Sequence, residues 1–459
     1  MQRRRGLGRD FWLYFGGQVG SQLGSKFTLF ALPLVVYKLT GSPTNLALTT
    51  VSEFLPYLLF GLLLGAVVDR VNRKRAMIGV DVARGLSLAV LPVLAAVGQL
   101  RVEYIYAVGF VQSTLGIVFD SGEFAAIPSL VATDDLVTAN GRIMAVNQGT
   151  GIIGPALAGV LVALMSPVDL LFVDAASFAL SALTLAAIRT SFNAAGAPER
   201  TGTPPSVVRS LMSDVREGLA YVWRNPVLRS ISIMMALINF VSSSAFTQLV
   251  LFAKRVFAAS DQQVGWLFAA GSAGVVVVGL SAGWLRRRMS FAVVALGTLV
   301  VSGLCMTAMA YSRWFWLALV LWAANNGFGL LLNVNTGALR QAIVPNHLLG
   351  RIMSIAGVLA WSAIPLGALA GAAVIRATDD VAAVYAGMGI LTAVIAAAFW
   401  FSPIRHGERY LAEAKAAKEA EATEAAEATE AGLGSVEPSL PTADAASVRA
   451  GEPQTTEPR

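Results

Sequence analysis

Twelve stretches of this chain are apolar enough, and long enough, to cross a lipid bilayer as helices. No other feature restricts the fold as much. A bilayer core of about 30 Å needs roughly 20 residues of helix. Suitable windows run over 11–37, 44–68, 76–98, 104–127, 142–165 and 168–188, and then over 227–251, 263–285, 290–311, 314–337, 352–376 and 381–402. The residues left over could not coat a water-soluble fold. Of the 459 residues 56% are hydrophobic and only 14% are charged, against about 25% charged in soluble domains. Soluble enzymes, disulfide scaffolds and disordered chains are therefore poor fits. The single Cys305 allows no intramolecular disulfide, and with only His347 and His406 beside it no metal site is expected. Arg3, Arg4 and Arg5 before the first apolar stretch imitate a signal peptide. No small-residue cleavage site follows them, so an uncleaved first helix is expected.

Charge placement predicts the orientation. The net charge of +6 divides into −6 over residues 411–459 and +12 over the rest. With the N-terminus inside, 22 Lys and Arg fall in cytoplasmic segments, and six (Lys38, Arg101, Lys254, Arg255, Arg313 and Arg376) fall outside. That bias predicts a multi-pass protein of the cell's inner (plasma) membrane with both termini cytoplasmic. The partner surface is then the lipid bilayer, and no nucleic acid is expected.

The chain also repeats itself. Gly141-Arg142-Ile143-Met144 recurs as Gly350-Arg351-Ile352-Met353, and Ala156-Leu157-Ala158-Gly159 recurs as Ala368-Leu369-Ala370-Gly371. A weaker echo links Gly65 through Arg75 to Gly283 with Arg286, Arg287 and Arg288. The near-constant offset predicts an all-α membrane protein of two parallel-related six-helix bundles, an architecture that transporters build around a midplane site. The expected domains are an N-terminal bundle (1–188), a cytoplasmic linker with an amphipathic helix over 206–223 (189–226), a C-terminal bundle (227–402) and a disordered cytoplasmic tail rich in Ala and Glu (403–459).

Charged residues inside spans are costly and mark functional sites. In span 1, Gly16, Gly20 and Gly24 make a packing seam, while Gln18, Gln22 and Lys26 form a polar face that should meet a wet cavity. Lys26 and Glu53 lie at matching depth, so an ion pair is expected, with Glu53 as the protonatable group. Asp81, Arg84, Asp120 and Glu123 share i, i+3 spacings that suit a gating network. Asp174 reads as an interfacial residue. Spans 7–11 hold no interior acid, so Asn239, Asn325 and Asn333 should offer neutral hydrogen bonds to a substrate. Among Phe27, Phe54, Tyr57, Phe246, Trp361, Met234 and Met235, only a minority are expected in a cavity wall.

The loop after span 2 carries the most specific pattern. Gly65, Asp69, Arg70, Arg73 and Lys74 match G-x-x-x-D-R-x-x-R-[KR], and the chain resembles the major facilitator superfamily there. The resemblance implies that this loop is a cytoplasmic gating latch. Span 5, with Gly154-Pro155 and Gly159, resembles the exporter signature G-P-x-x-G-G, although Ala158 stands in place of the first glycine of the final pair. Gln22-Leu23-Gly24, Ala31-Leu32-Pro33 and Trp223-Arg224-Asn225-Pro226 are similar to the macrolide-efflux and enterobactin-exporter branch. The resemblance implies the major facilitator fold with twelve helices, alternating access and export of an amphipathic drug or secondary metabolite. It further implies a monomer that is not an enzyme, has no cofactor and is driven by a proton gradient. A siderophore exporter of the same fold is the alternative, and an uptake symporter is less favoured. Span 4 lacks the Arg that many members carry, so that residue's proton-relay role has no counterpart here.

Overall fold

The computed structural model describes residues 7–68, 71–192, 216–344, 346–413, 416 and 423. No β-strand occurs among them. Inside a bilayer the backbone has no water to bond, and a helix satisfies its own amides. The first group comprises α1 (Arg9–Thr40), α2 (Pro43–Val68), α3 (Arg73–Ala96), α4 (Val102–Leu130), α5 (Leu136–Leu161) and α6 (Leu170–Ala187). A short helical stretch at 216–224 precedes the second group. That group comprises α7 (Pro226–Thr247), α8 (Leu249–Phe257), α9 (Asp261–Arg288), α10 (Phe291–Tyr311), α11 (Phe315–Ile343), α12 (Asn346–Trp361), α13 (Ala363–Thr378) and α14 (Val381–Phe399).

Eleven described segments are long and apolar enough to cross a membrane. The helix α2 is not among the eleven, and its 26 residues hold the place of the second expected span. Two expected spans are each built from two helices. α7 and α8 meet at Gln248, and α12 and α13 meet at Ser362. The second break has a plain cause: Pro365 has no N–H to give the Trp361 carbonyl, so the helical ladder stops there.

Polar residues fix the helix ends. Gly41, with φ of +58°, closes α1 by returning its N–H to the Tyr37 carbonyl. The Asn72 side chain accepts the N–H of Arg75 at 3.0 Å to start α3, and Ser260 with Gln263 forms a reciprocal capping box on α9. Successive spans alternate in direction. The end at which α1 begins is called the near end below, and the opposite end the far end.

Two seams join the groups. In one, α5 packs on α9, and in the other, α2 packs on α13. Both use the repeated tetrapeptide. A methyl group on Gly159 would come within 2.9 Å of the Gly265 Cα and 3.2 Å of the Gln262 carbonyl, while Ala368 packs with Ala47 and Ala372. The larger apolar core runs through the second group and reaches the first through Phe30, Leu34, Leu46, Ile105 and Leu170, largely toward the far end. Near-end side chains of the first group, including Phe11, Tyr14, Met77 and Phe192, form a separate cluster. Large apolar residues such as Leu86, Leu183 and Leu280 are exposed on the outer surface, as lipid contact requires. Tyr311, Trp314 and Trp316 are exposed at the far end, where aromatic belts form.

The compact unit that holds all the spans extends to Leu411, and residues 412–459 form a second unit. Ile404 is fully buried, and the Glu408 carboxylate accepts the Phe291 N–H at 2.6 Å, so ordered packing continues past the boundary expected at 402. Most of the expected amphipathic stretch and of the Ala/Glu tail lies outside the described residues.

Candidate functional site

Between the two groups lies a cavity of about 730 Å³. The first group contributes Phe54, Tyr57 and Asp120, and the second contributes Met235, Asn239, Asn333, Arg340 and Trp361. A second chamber of about 370 Å³ shares Phe54, Asn239 and Ile364 with it and adds Glu53, Phe246, Trp322 and Asn325. A small side pocket holds Lys26, Phe268 and Asn326. The aromatic wall is fuller than the sequence suggested. Phe54, Tyr57, Phe246, Met235 and Trp361 all line chambers, and only Phe27 and Met234 are consumed by packing. Tyr57 meets Trp361 edge to face, with ring centroids 6.1 Å apart, so the wall is continuous across the groups.

The neutral amides are where a cargo could reach them, each with bonding capacity left over. Asn239 donates to the Ala360 carbonyl at 2.9 Å, Asn325 accepts from Ser302 at 2.6 Å, and Asn333 donates to Gly329 at 3.2 Å. An amide side chain has two N–H donors and an acceptor oxygen, so one bond does not exhaust it.

The expected Lys26–Glu53 pair does not form. Lys26 lies against Gly154 of α5, where a methyl group would meet its Cγ at 3.0 Å, and Glu53 lies beside Gly109 of α4. Neither has an ion-pair partner among the described residues. The reason is azimuth: α1 packs chiefly on α6 and α5, whereas α2 packs on α4 and α13, so residues at one depth face different neighbours. Gln18 and Gln22 line neither main chamber, and Gln18 Nε2 and Gln22 Oε1 are buried without hydrogen-bond partners. Of the expected polar face of span 1, only Lys26 reaches a pocket shared with the second group.

The residues expected to form one gating network make their hydrogen bonds to different partners. Arg84 Nε donates to Gln112 at 3.1 Å, and its guanidinium sits 4.2 Å above the Phe178 ring. Asp81 is fully buried, and neither carboxylate oxygen has a hydrogen-bond partner. Glu123 accepts from the Tyr14 hydroxyl at 2.6 Å, while Asp120 stands in the wall of the large cavity. No ion pair joins these groups among the described residues. Asp174 is not interfacial. It is 1% exposed and accepts from the hydroxyls of Thr28 and Ser177, which ties α1 to α6. The sequence placed it by depth alone and had no view of this contact.

In the loop after α2, Asp69 and Arg70 lie outside the described residues, and Gly65 falls in the last turn of α2. The described cations of that loop tie α3 to the segment after α6. Lys74 donates to the Ile188 carbonyl, and Arg73 Nη1 donates to the Phe192 carbonyl at 3.5 Å. In span 5, Gly154 and Pro155 flank the Lys26 pocket, and Gly159 forms the seam with α9.

Sequence reasoning missed the closure of the far end. Lys38 of α1 meets Asp261 of α9 at 2.5 Å, and Lys254 meets the same carboxylate at 2.6 Å. Gln248 donates to the Pro43 carbonyl at 2.9 Å, Thr50 bonds Thr247 at 2.9 Å, and Arg255 reaches the Gly41 carbonyl at 3.5 Å. In the sequence, Lys38, Lys254 and Arg255 count only as outside charges. The signal was there in Asp261 and Asp379, the acids beside those cations. Arg255 meets Asp379 at 2.8 Å.

Comparison with known proteins follows the same lines. A family model described as transmembrane secretion effector matches residues 9–437. The multidrug efflux pump Tap of Mycolicibacterium fortuitum is 30% identical over 354 residues, covering 75% of this chain and 84% of that protein. Macrolide efflux protein A of Streptococcus pyogenes is 23% identical over 366 residues, covering 79% and 88% respectively. Among solved structures, the nucleoside transporter NupG aligns with a TM-score of 0.70 at 14% identity, over 85% of this chain and 98% of that one. A bacterial homologue of the iron transporter ferroportin aligns with a TM-score of 0.64 at 17% identity, over 85% and 98%. At such identities the structures report a shared fold.

Proposed function

The chain belongs to the transmembrane secretion effector family of the major facilitator superfamily, and on that premise we propose that it exports amphipathic small molecules by proton antiport. Membership makes it a multi-pass membrane transporter and not an enzyme. The names of the relatives, multidrug and macrolide efflux proteins, support a drug-like or metabolite cargo. Aromatic walls with a few amides suit such cargo, because apolar surface gives affinity and scattered hydrogen bonds give orientation.

The observation that carries the coupling is Glu53. It is half-buried in the wall of a chamber that both groups enclose, with no hydrogen bond or ion pair among the described residues. A carboxylate held there is costly while ionised, so proton binding and cargo binding compete for one space. Lys26 is not its partner, and Glu53 acts alone. The excess of Lys and Arg at the near end supports a cytoplasmic near end and cytoplasmic termini. The far-end links then close the outer side, and cargo enters from the cytoplasm and displaces a proton from Glu53. The groups rock about the α5–α9 and α2–α13 seams, the far end opens, cargo leaves and a proton from outside returns.

The test is accumulation of a labelled macrolide in cells expressing the wild type or Glu53→Gln, with and without a protonophore. The wild type lowers accumulation and the protonophore abolishes that effect, while Glu53→Gln cells match cells without the protein. Equal efflux by wild type and mutant removes Glu53 from the coupling role.

A further inference from the structure

Arg340 counts in the sequence as one more cation anchoring the near end. In the structure it is only 8% exposed, in the last turn of α11, and it lines the 730 Å³ chamber. Its Nε and Nη2 are covered by protein and meet no hydrogen-bond acceptor among the described residues. No carboxylate among the described residues pairs with it. A buried charge without a partner is strongly unfavourable, and two other partly buried cations are matched: Lys254 has Asp261, and Arg84 has Gln112 and the Phe178 face. Asp120 shares the chamber and does not pair with Arg340.

The missing partner belongs to what fills the chamber. We propose that Arg340 is a specificity-determining residue that selects cargo bearing an acidic group, a carboxylate or a phosphate-like anion. The apolar body of the cargo lies against Phe54, Tyr57 and Trp361, and rotation of the Arg340 side chain brings its Nε/Nη2 edge to the anion. That edge offers two parallel N–H groups, the geometry that takes both oxygens of a carboxylate. The assignment rests on the export reading for the direction of transport, but not for binding.

The test uses the full chain in phosphatidylcholine nanodiscs, with dansylaminoundecanoate and its methyl ester as probes and empty discs as the partition control. Replacing Arg340 by Gln weakens acid binding by about tenfold or more, the loss expected of a charged hydrogen-bonding partner, and changes ester binding by less than about twofold. Arg340→Lys keeps the charge without the planar fork and recovers part of the acid affinity. It also carries the test if the Gln variant does not fold. Unchanged acid binding in Arg340→Gln, or equal loss of acid and ester, overturns the proposal. Discs containing phosphatidylglycerol distinguish a lipid source of the anion. If that lipid abolishes acid binding to the wild type, the site belongs to a headgroup and the cargo assignment fails. Charge-selective binding without export from cells overturns the export reading alone, and export of acidic and neutral cargo alike overturns the Arg340 assignment alone.

Discussion

Replacing Lys38 by Gln should favour an open far end without unfolding the protein. The Lys38–Asp261 contact of 2.5 Å runs from the last turn of α1 to the first residue of α9, so it exists only while the two groups meet there. Lys254 holds the same carboxylate at 2.6 Å, but both of those residues belong to the second group and can stay together in either state. Only the first pair biases the equilibrium. Its side chains are 47% and 22% exposed, so water screens them, and such pairs contribute about 0.2–1 kcal/mol. Removing it raises the far-end-open population by about 1.4- to 5-fold. Replacing Lys254 by Gln should leave that population unchanged or lower it, because Asp261 then has Lys38 as its one cation. Spin labels at Gln99→Cys and Arg313→Cys, both exposed at the far end, in a Cys305→Ser background report the separation by pulsed dipolar spectroscopy. The difference between wild type and Lys38→Gln should shrink in high salt. Identical distance distributions for those two proteins, or equal opening in Lys254→Gln, would refute the assignment of Lys38–Asp261 as the biasing pair.

Two further outcomes follow from packing and hydrogen bonding. Gly159→Val puts bulk where even a Cβ lies 2.9 Å from the Gly265 backbone. Overpacking of that kind costs about 1–3 kcal/mol, so the purified protein should melt at lower temperature and lose transport. Tyr14→Phe leaves Glu123 without the donor now 2.6 Å away, which costs about 1–3 kcal/mol and is read by thermal unfolding in detergent.

Much of the fold was legible because a bilayer permits so few structures. Span length, cation bias and a repeated tetrapeptide pointed to the helices and their order, and the repeat proved to mark the seams. What the sequence could not give was direction around each helix axis. Lys26 and Glu53 share a depth but face α5 and α4 respectively, and Asp174 looked interfacial although α1 covers it. Arg340 makes a related point: counting cations near a span end does not say whether a side chain turns outward or in. The far-end links between Lys38, Gln248, Arg255 and their partners join positions more than 200 residues apart. No local pattern announces a contact of that range. The two breaks differ in the same way, since Pro365 explains the one at Ser362 while Gln248 has no proline near it in sequence.

On the proposed transport cycle, the seam in which Gly159 meets Gly265 would work as a bearing without teeth. Side chains that interdigitate lock two helices at one angle, and changing the angle means lifting each knob from its hole. Two bare backbones in contact carry compression and offer little grip against rolling. On the proposed cycle, resistance to turning would fall on the far-end links, on the apolar core that the two groups share and on whatever occupies the chamber. If that cycle holds, its tempo should respond to substitutions of surface residues at the rim as well as to repacking of the interior.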